Sequence, residues 1–158
     1  MARFHYSMQS ILDIKLKIES QERQALANAR AALDSEEQRL LKLKDRRVGY
    51  QRREAELLEG DLNLRDIGEA HEAVRLMDGF IEEQRIRVAE AERNLERARE
   101  RLTEVMKERK THENLKEKAF SQFLAEENRR ESKAVDELTS YVYGQRRSRK
   151  DKSSVSVR

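Results

Sequence analysis

A repeat of apolar residues in the second half of the chain constrains the possible folds more than any other feature. From Ile67 to Val105, steps of alternately three and four residues meet a single polar side chain, that of Gln84. The positions are Ile67, Ala70, Val74, Met77, Ile81, Gln84, Val88, Ala91, Leu95, Ala98, Leu102 and Val105. An apolar repeat of this kind, sustained over several heptads, is typical of a coiled coil. We therefore predict a long α-helix over residues 67–105 that pairs with another helix, and we exclude disorder there.

Composition favours long helices over a compact globular core. Of the 158 residues, 41% are charged and 5% are aromatic, and the chain has no proline, tryptophan or cysteine. High charge alone would also fit a disordered chain, but disorder does not explain the repeat. The lack of cysteine excludes disulfides and thiolate metal sites. The first ten residues have no apolar core of a secretory signal, and no run approaches the roughly 18 apolar residues that span a bilayer.

A weaker apolar repeat in the first half of the chain predicts a partner helix. Its phase moves by one residue between an early and a later set, which predicts a stutter that locally relaxes the supercoil. The early set is Phe4, Met8, Ile11 and Ile18, and the later set is Leu26, Ala29, Leu33, Leu40, Leu43, Tyr50 and Leu57. With Ser7 as the N-cap, or Ser10 as the alternative, we expect this helix to run from about residue 7 to about residue 59.

The segment GDLNLRDIG (residues 60–68) is the one cluster of turn-forming residues in the chain. Gly60 can take the left-handed conformation that ends a helix, and Asp61 or Asp66 can cap the next one. A connection this short makes the two helices antiparallel neighbours. We therefore expect a turn at about residues 60–66 and a second helix from about residue 66 to about residue 143, with Gly144 as its stop.

Together these features predict an all-α fold: a long antiparallel two-helix coiled-coil hairpin whose second helix is longer than the first. We expect the hairpin to form a single domain over residues 1–145. Residues 146–158 are basic, rich in serine and without apolar periodicity. We expect them to form a disordered tail whose positive charge complements the C-terminal end of the helix dipole. Binding of this tail to nucleic acid or to an anionic membrane is the alternative.

The repeat changes near residue 109, and the change has two interpretations. Arg109, His112 and Lys116 occupy positions that are apolar earlier in the helix. A new apolar face then begins, made of Leu115, Ala119, Phe120, Phe123 and Leu124. Either this face packs against the N-terminal residues 4–12 after a stutter, or Phe120, Phe123 and Leu124 reach a partner.

The second helix extends beyond the end of the first. If the hairpin folds about residue 63, residue 4 lies opposite roughly residue 120, and the helix continues well beyond that point. The stretch ENRRESKAVDEL (residues 127–138) then has no partner in its own chain, and only Ala134, Val135 and Leu138 to bury. A lone helix of this length frays in water, so either this one frays or another molecule holds it.

The sequence has no motif for catalysis or for a cofactor. The patterns GxxxxGK[ST], GxSxG, HExxH and CxxC are all absent. His5, His71 and His112 are scattered, and the grouping of His71 with Glu69 and Glu72 is typical of a solvated helix face. A two-helix hairpin also lacks the concave pocket that catalysis uses. We therefore predict a non-enzyme with no metal, no cofactor and no small-molecule substrate.

Three stretches of the chain resemble the FliJ family of flagellar proteins. FHYSMQSILDIKLKIESQERQALANARAAL (residues 4–33) is similar to the start of the family, with spaced aromatic residues followed by a helix rich in glutamine, glutamate and alanine. RVAEAERNLERARERLTEVMKERKTHENLKEK (residues 87–118) resembles the long second helix. ENRRESKAVDEL resembles the C-terminal signature, in which charged residues precede an Asp-Glu pair, here Asp136 and Glu137.

The resemblance implies a non-enzymatic component of the flagellar type III export apparatus. Members are cytosolic coiled-coil hairpins, similar to the γ stalk of rotary ATPases, whose termini lie in the central hole of a hexameric export ATPase ring. They promote ring assembly and ATP turnover, contact the cytosolic domain of the export gate membrane protein, and bind export chaperones. The protein is then cytoplasmic and reaches the inner face of the cell membrane only through its partners.

The resemblance also points to two sets of contact residues. Those for the ATPase ring are Phe120, Phe123, Arg129, Arg130, Lys133, Asp136 and Glu137. Those for the export gate are Gln38, Tyr50, Met77, Phe80 and Gln84. Tyr50 and Met77 also fit the apolar repeat, whereas Phe80 lies off it, so Phe80 is the strongest single candidate for the gate.

Other functions compete with this one. A stalk protein of a virulence-type secretion system fits the same residues. A generic coiled-coil adaptor or tether, expected to dimerise through a parallel interface, is the alternative from the structural class. The second alternative is a helical nucleic-acid-binding protein. The basic tail alone supports this interpretation, which predicts strongly salt-dependent binding.

Overall fold

Two α-helices joined by a short turn make up the fold. The computed structural model describes residues 3–154, with side chains described as far as residue 145. Helix α1 spans Gln9–Leu57 and helix α2 spans Leu64–Ser154. No strand is found within residues 3–154. The predicted all-α hairpin with a longer second helix is confirmed.

The pairing of residues between the helices is antiparallel. Lys15, near the start of α1, forms a salt bridge of 2.5 Å with Glu108, near the middle of α2. Glu54, near the end of α1, lies 2.9 Å from the ring nitrogen of His71, near the start of α2. Rising residue numbers in α1 therefore face falling residue numbers in α2.

The apolar repeat of α2 forms the packed interface, as the sequence predicted. Its buried members are Ala70, Val74, Ile81, Gln84, Ala91, Leu95 and Ala98. Leu33 of α1 packs with Ala91 and Leu95 in a buried cluster, flanked by Leu26, Ala29 and Val88. Burial of these apolar side chains away from water stabilises the pairing of the helices.

The chain divides into two compact units, which we call the turn unit and the terminal unit. The turn unit comprises Ile14–Arg109 and holds the buried apolar cluster. The terminal unit comprises Met1–Asp13 and Lys110–Arg158. The apolar periodicity of each helix predicts which of its residues face the other helix. It does not predict how the contacts divide between the two units, because that depends on residues of both helices.

The end of α1 differs from the prediction. Gly60 has no positive φ, so the left-handed cap is not formed. Instead the amide of Leu58 donates to the carbonyl of Ala55 at 3.1 Å, and the amide of Glu59 donates to that of Glu56 at 3.2 Å. These bonds between residues three apart tighten the last turn and satisfy carbonyls that a helix end otherwise leaves free.

Helix α2 is capped by Asn63, whereas we predicted Asp61 or Asp66. The amide of Arg65 donates to Oδ1 of Asn63 at 3.1 Å, and the side-chain amide of Asn63 donates to the carboxylate of Asp66 at 3.0 Å. Asp66 lies in the first turn, where its negative charge is favoured by the helix dipole. The cap is therefore a pair of side chains rather than a single aspartate.

The start of α1 also differs from the prediction. Helix α1 begins at Gln9, and the amides of Ile11 and Leu12 donate to the carbonyl of Met8. Met8 therefore stands at the N-cap position. Ser7 lies in the preceding turn and Ser10 lies inside the helix, so neither serves as the predicted cap.

Burial along α1 follows one unbroken heptad phase, so the predicted stutter is wrong. Ile11 is 39% exposed, whereas its neighbour Leu12 is 4% exposed. The buried and half-buried positions of this phase are Leu12, Lys15, Glu19, Glu22, Leu26, Ala29, Leu33, Glu36, Leu40, Leu43, Arg47, Glu54 and Leu57. Tyr50, in the same phase, is 39% exposed, and Ile18, beside Glu19, is half-buried. The phase was missed because several of its positions carry charged side chains that find partners on α2.

The phase of α2 is also unbroken, so the predicted shift near residue 109 is wrong. The residues that continue the heptad phase of α2 are half-buried. They are Val105, Arg109, His112, Lys116, Ala119 and Phe123. Leu115, Phe120 and Leu124 are 43%, 44% and 46% exposed. Most of the expected new apolar face therefore flanks the interface instead of replacing it.

Helix α2 continues through Gly144 to Ser154. We predicted an end at about residue 143 and a disordered tail over residues 146–158. A glycine inside a helix costs about 1 kcal/mol relative to alanine and does not by itself end the helix. The chain has no proline that would end it. The last four residues, 155–158, lie outside the described part of the chain.

Candidate partner-binding surfaces

An aromatic contact joins the N-terminal segment to α2 in the terminal unit. The ring of Phe4 meets the ring of Phe120 edge-on, with centroids 5.1 Å apart and an interplanar angle of 72°. It also lies 5.5 Å from the ring of Phe123, at 54°. We call these three residues the aromatic clasp. Two of the predicted ring-contact residues thus already pack within their own chain, although Phe120 keeps 44% of its surface exposed.

The part of α2 that follows is exposed on every side. Every residue from 128 to 145 is exposed, and we call this stretch the C-terminal arm. Large apolar side chains on it are exposed: Val135 is 61% and Leu138 is 65% exposed. Tyr141, Val142 and Tyr143, which follow the predicted stretch of residues 127–138, are 64%, 47% and 66% exposed. Val135, Leu138 and Val142 are spaced by three and four residues and so lie on one face of the helix. This spacing in the sequence would have predicted that the apolar face continues to Val142.

Charged side chains of both signs surround the C-terminal arm. Arg130 donates to Glu126 at 2.7 Å and to Glu127 at 3.2 Å. These ion pairs lie within one helix and each contributes only about 0.2–0.5 kcal/mol. The other predicted ring-contact residues of the arm make no ion pair within the described part of the chain; they are Arg129, Lys133, Asp136 and Glu137. Their charges are therefore available to a partner.

The predicted gate-contact residues lie in the turn unit but differ in access. Gln38 is exposed, Tyr50 is 39% exposed, and Met77 is half-buried in the interface. Phe80 is 47% exposed, off the buried phase, as its position in the repeat indicated. Leu76, one turn before Phe80 on the same face, is 54% exposed and was not predicted. Leu76 and Phe80 together form an exposed apolar pair.

Gln84 does not lie on this surface. It is 5% exposed, and its side-chain amide donates to the backbone carbonyl of Glu36 at 3.0 Å and to the Glu36 carboxylate. A residue committed to the interface between the helices is not free to contact a partner. The assignment of Gln84 to the gate set is therefore corrected. The sequence alone could not show this. A glutamine in an apolar repeat is either buried with a hydrogen-bond partner on the other helix or exposed at a gap in the apolar interface.

A buried ion network explains one of the polar positions in the α2 repeat. Glu19, 6% exposed, accepts hydrogen bonds from Arg23 at 2.7 and 3.1 Å and from Arg109 across the interface. The Arg23 guanidinium holds the pKa of the Glu19 carboxyl below its ordinary value, and Arg109 acts in the same direction, while burial opposes both. A buried carboxylate held by two guanidiniums serves the packing of the helices and leaves no site for a substrate.

Within residues 3–145, no three histidine or acidic side chains come together as metal ligands. In the same part of the chain, neither helix has a stretch apolar enough to cross a membrane.

Comparison with known proteins identifies a family. The family model for the flagellar FliJ protein matches residues 4–148. No curated protein matches the chain, and no solved structure matches it either.

Proposed function

Because the chain belongs to the FliJ family, and so is a non-enzymatic component of the flagellar export apparatus, we propose that it is the central stalk of the hexameric export ATPase. In this role it promotes assembly and ATP turnover of the ring and links the ring to the cytosolic domain of the export gate. It also binds export chaperones. It acts in the cytoplasm, at the inner face of the membrane, through these partners.

The exposed C-terminal arm carries the proposal. A lone helix in water is marginally stable, because its backbone bonds compete with water and no side chain is buried. The arm nevertheless presents large apolar side chains to solvent, with Leu138 65% exposed. Enclosure by a surrounding partner would bury these side chains and hold the helix. The hole of a ring encloses a helix from all sides, which matches exposure on all sides.

The charge pattern of the arm suits a partner made of repeated subunits. Arg129, Lys133, Asp136 and Glu137 place both signs on the helix. Exposed ion pairs contribute about 0–1 kcal/mol each, so the arm would make several weak contacts rather than one deep anchor. Weak contacts allow a stalk to release one subunit of the ring and bind the next.

The exposed apolar pair of Leu76 and Phe80 supports the proposed link to the export gate. The two side chains lie four residues apart on one face of α2 and are 54% and 47% exposed. Gln38 and Tyr50 of α1 are the other accessible members of the predicted set. Gln84 is left out because it is buried.

Truncation tests the stalk role. We expect a chain that ends after Phe123 to keep the folded turn unit and to lose stimulation of the export ATPase. The matched control ends after Gln145, which removes only the basic tail. Steady-state ATP hydrolysis by the ring is the measurement, with circular dichroism to verify folding. If the chain ending at Phe123 stimulates as well as the full chain, the stalk role is refuted.

A further inference from the structure

The packing of the terminal unit contains unsatisfied polar groups. Tyr6 is 8% exposed, and its hydroxyl is buried with no hydrogen-bond partner among the described residues. The Nδ1 atom of His112, at a half-buried position of the repeat, is in the same state. A buried polar group without a partner loses its hydration and gains nothing in return. The packed state of this unit is therefore weakened relative to an open one.

The turn unit does not share this weakness at its buried polar positions. The carboxylate of Glu19 is held by Arg23 and Arg109, and the amide of Gln84 is held by Glu36. Both residues are as buried as Tyr6. The two units therefore differ in how well their buried polar groups are satisfied, and the terminal unit is the one that opens at lower cost.

Phe4 is half-buried and Tyr6 is buried in the N-terminal segment, residues 3–6. Residues 3–6 are outside any helix, and α1 begins only at Gln9. The amide of Gln9 donates to the carbonyl of Tyr6, which is a bond within the segment and does not attach it to α2. The rings of the aromatic clasp connect the segment to α2. Each aromatic pair favours the packed state by a factor of about 2 to 10, which local opening can overcome.

We propose that the N-terminal residues 3–6 form a releasable strap that masks the aromatic face of Phe120 and Phe123. In the closed state, the ring of Phe4 covers part of both side chains. In the open state, both rings are free to contact a partner. The identity of that partner, the ring of the export ATPase, rests on the proposed function, whereas the opening itself does not.

A mask of this kind lowers the apparent affinity for the partner. When only an open fraction of molecules binds, the observed dissociation constant is the intrinsic one divided by that fraction. Removing the Phe4 ring raises the open fraction and adds no contact. We therefore expect the concentration of Phe4→Ala protein that gives half-maximal stimulation to be about 2- to 10-fold lower than that of the unmodified chain.

Fluorine NMR tests the opening without any partner. The chain has four phenylalanines, at positions 4, 80, 120 and 123, so labelling with 4-fluorophenylalanine gives four signals. On warming, we expect the signals of the aromatic clasp to move together well below the loss of helical circular dichroism, while the Phe80 signal stays in place. If all four signals change only with the global transition, the strap does not open and the proposal fails.

Stimulation of the export ATPase tests the mask. Phe4→Ala is compared with Leu41→Ala, which removes a 59% exposed apolar side chain of the turn unit that belongs to neither proposed contact surface. We expect only Phe4→Ala to lower the half-maximal concentration. An unchanged or higher value for Phe4→Ala would overturn the mask, because Phe4 would then be a bystander or a contact residue. If the unmodified chain does not stimulate the ring at all, the proposed function fails, and the fluorine measurement still decides whether the strap opens.

Discussion

The side-chain amide of Gln84 donates a hydrogen bond to the backbone carbonyl of Glu36 at 3.0 Å, across the interface between the two helices. Gln84 is the single polar member of the apolar repeat between Ile67 and Val105, and it is 5% exposed. A second bond, to the carboxylate of Glu36, satisfies more of its donors. A polar residue with a specific partner in a coiled-coil interface fixes the alignment of the helices, because any slip leaves it unpaired.

Replacing Gln84 tests this bond. We expect Gln84→Ala to lower the free energy of unfolding by about 1–3 kcal/mol, because it leaves a cavity and removes the partner of Glu36. Gln38→Ala, at an exposed position of α1, serves as the control and should change it by less than about 0.5 kcal/mol. Urea denaturation followed by circular dichroism measures both. Equal effects of the two substitutions would contradict a structural role for Gln84.

The ion network of Glu19 predicts a dependence of stability on pH. The pKa of Glu19 is lowered in the folded state, chiefly by the hydrogen bonds from Arg23 and then by Arg109 against the effect of burial. A carboxyl with a lowered pKa stabilises the fold above its ordinary pKa of 4.5, and this contribution is lost as the pH falls through the folded value. We therefore expect the melting temperature of the unmodified chain to fall more steeply than that of Glu19→Gln as the pH is lowered from 5 toward about 3.

The control for this measurement is Glu37→Gln, at an exposed position of α1. Its melting temperature should follow that of the unmodified chain over the same pH range. Parallel curves for the unmodified chain and Glu19→Gln would show that the network does not lower the pKa of this carboxyl in solution.

The cap of α2 gives a third prediction. Asn63→Ala removes the acceptor of the Arg65 amide, and we expect a loss of about 1 kcal/mol in the free energy of unfolding. Asp61→Ala, two residues earlier, should have little effect because Asn63 and not Asp61 accepts this bond. Chemical denaturation distinguishes the two candidates. A greater loss for Asp61→Ala would restore the cap that the sequence suggested.

The apolar side chains of the C-terminal arm give a fourth prediction. Val135 and Leu138 are 61% and 65% exposed, so changing both to serine should leave the melting temperature nearly unchanged. If a partner buries them, stimulation of the export ATPase should fall about tenfold or more, since burial of each is worth about 1.5–3 kcal/mol. Val48→Ser, at a position 51% exposed in the turn unit, is the control and should leave stimulation intact. Full stimulation by the double variant would exclude these residues from the contact.

Several features of the fold could be predicted because they depend on local physics. The apolar repeat that ends at Val105 indicated a paired helix, since periodicity reports which face of a helix is buried. The glycine- and aspartate-containing segment of residues 60–68 located the turn to within a few residues of the observed one. The greater length after the turn predicted the longer second helix. Each of these inferences needs only neighbouring residues along one helix.

The predicted stutter in α1 and the predicted phase shift in α2 were wrong, because each depends on a charged partner across the interface. Lys15, Glu19 and Arg109 occupy buried or half-buried positions of the repeat, so the sequence suggested a stutter and a phase shift that do not exist. A charged side chain fits such a position only when its counterpart stands opposite, and the counterpart of Glu19 lies 90 residues away in Arg109. The choice of Asn63 over two aspartates as the cap depends on local geometry that residue type alone does not specify.

The sequence by itself therefore determined two long helices, the place where the chain turns, and an excess of helix at one end, because propensity, turn chemistry and periodicity act over a few residues. Only the tertiary structure decided which charged groups are buried, that Gln84 faces inward, and that Phe4 covers Phe120 and Phe123. The physical reason is that the free energy of a buried polar or aromatic side chain is set by the groups that surround it, and those groups come from distant parts of the chain.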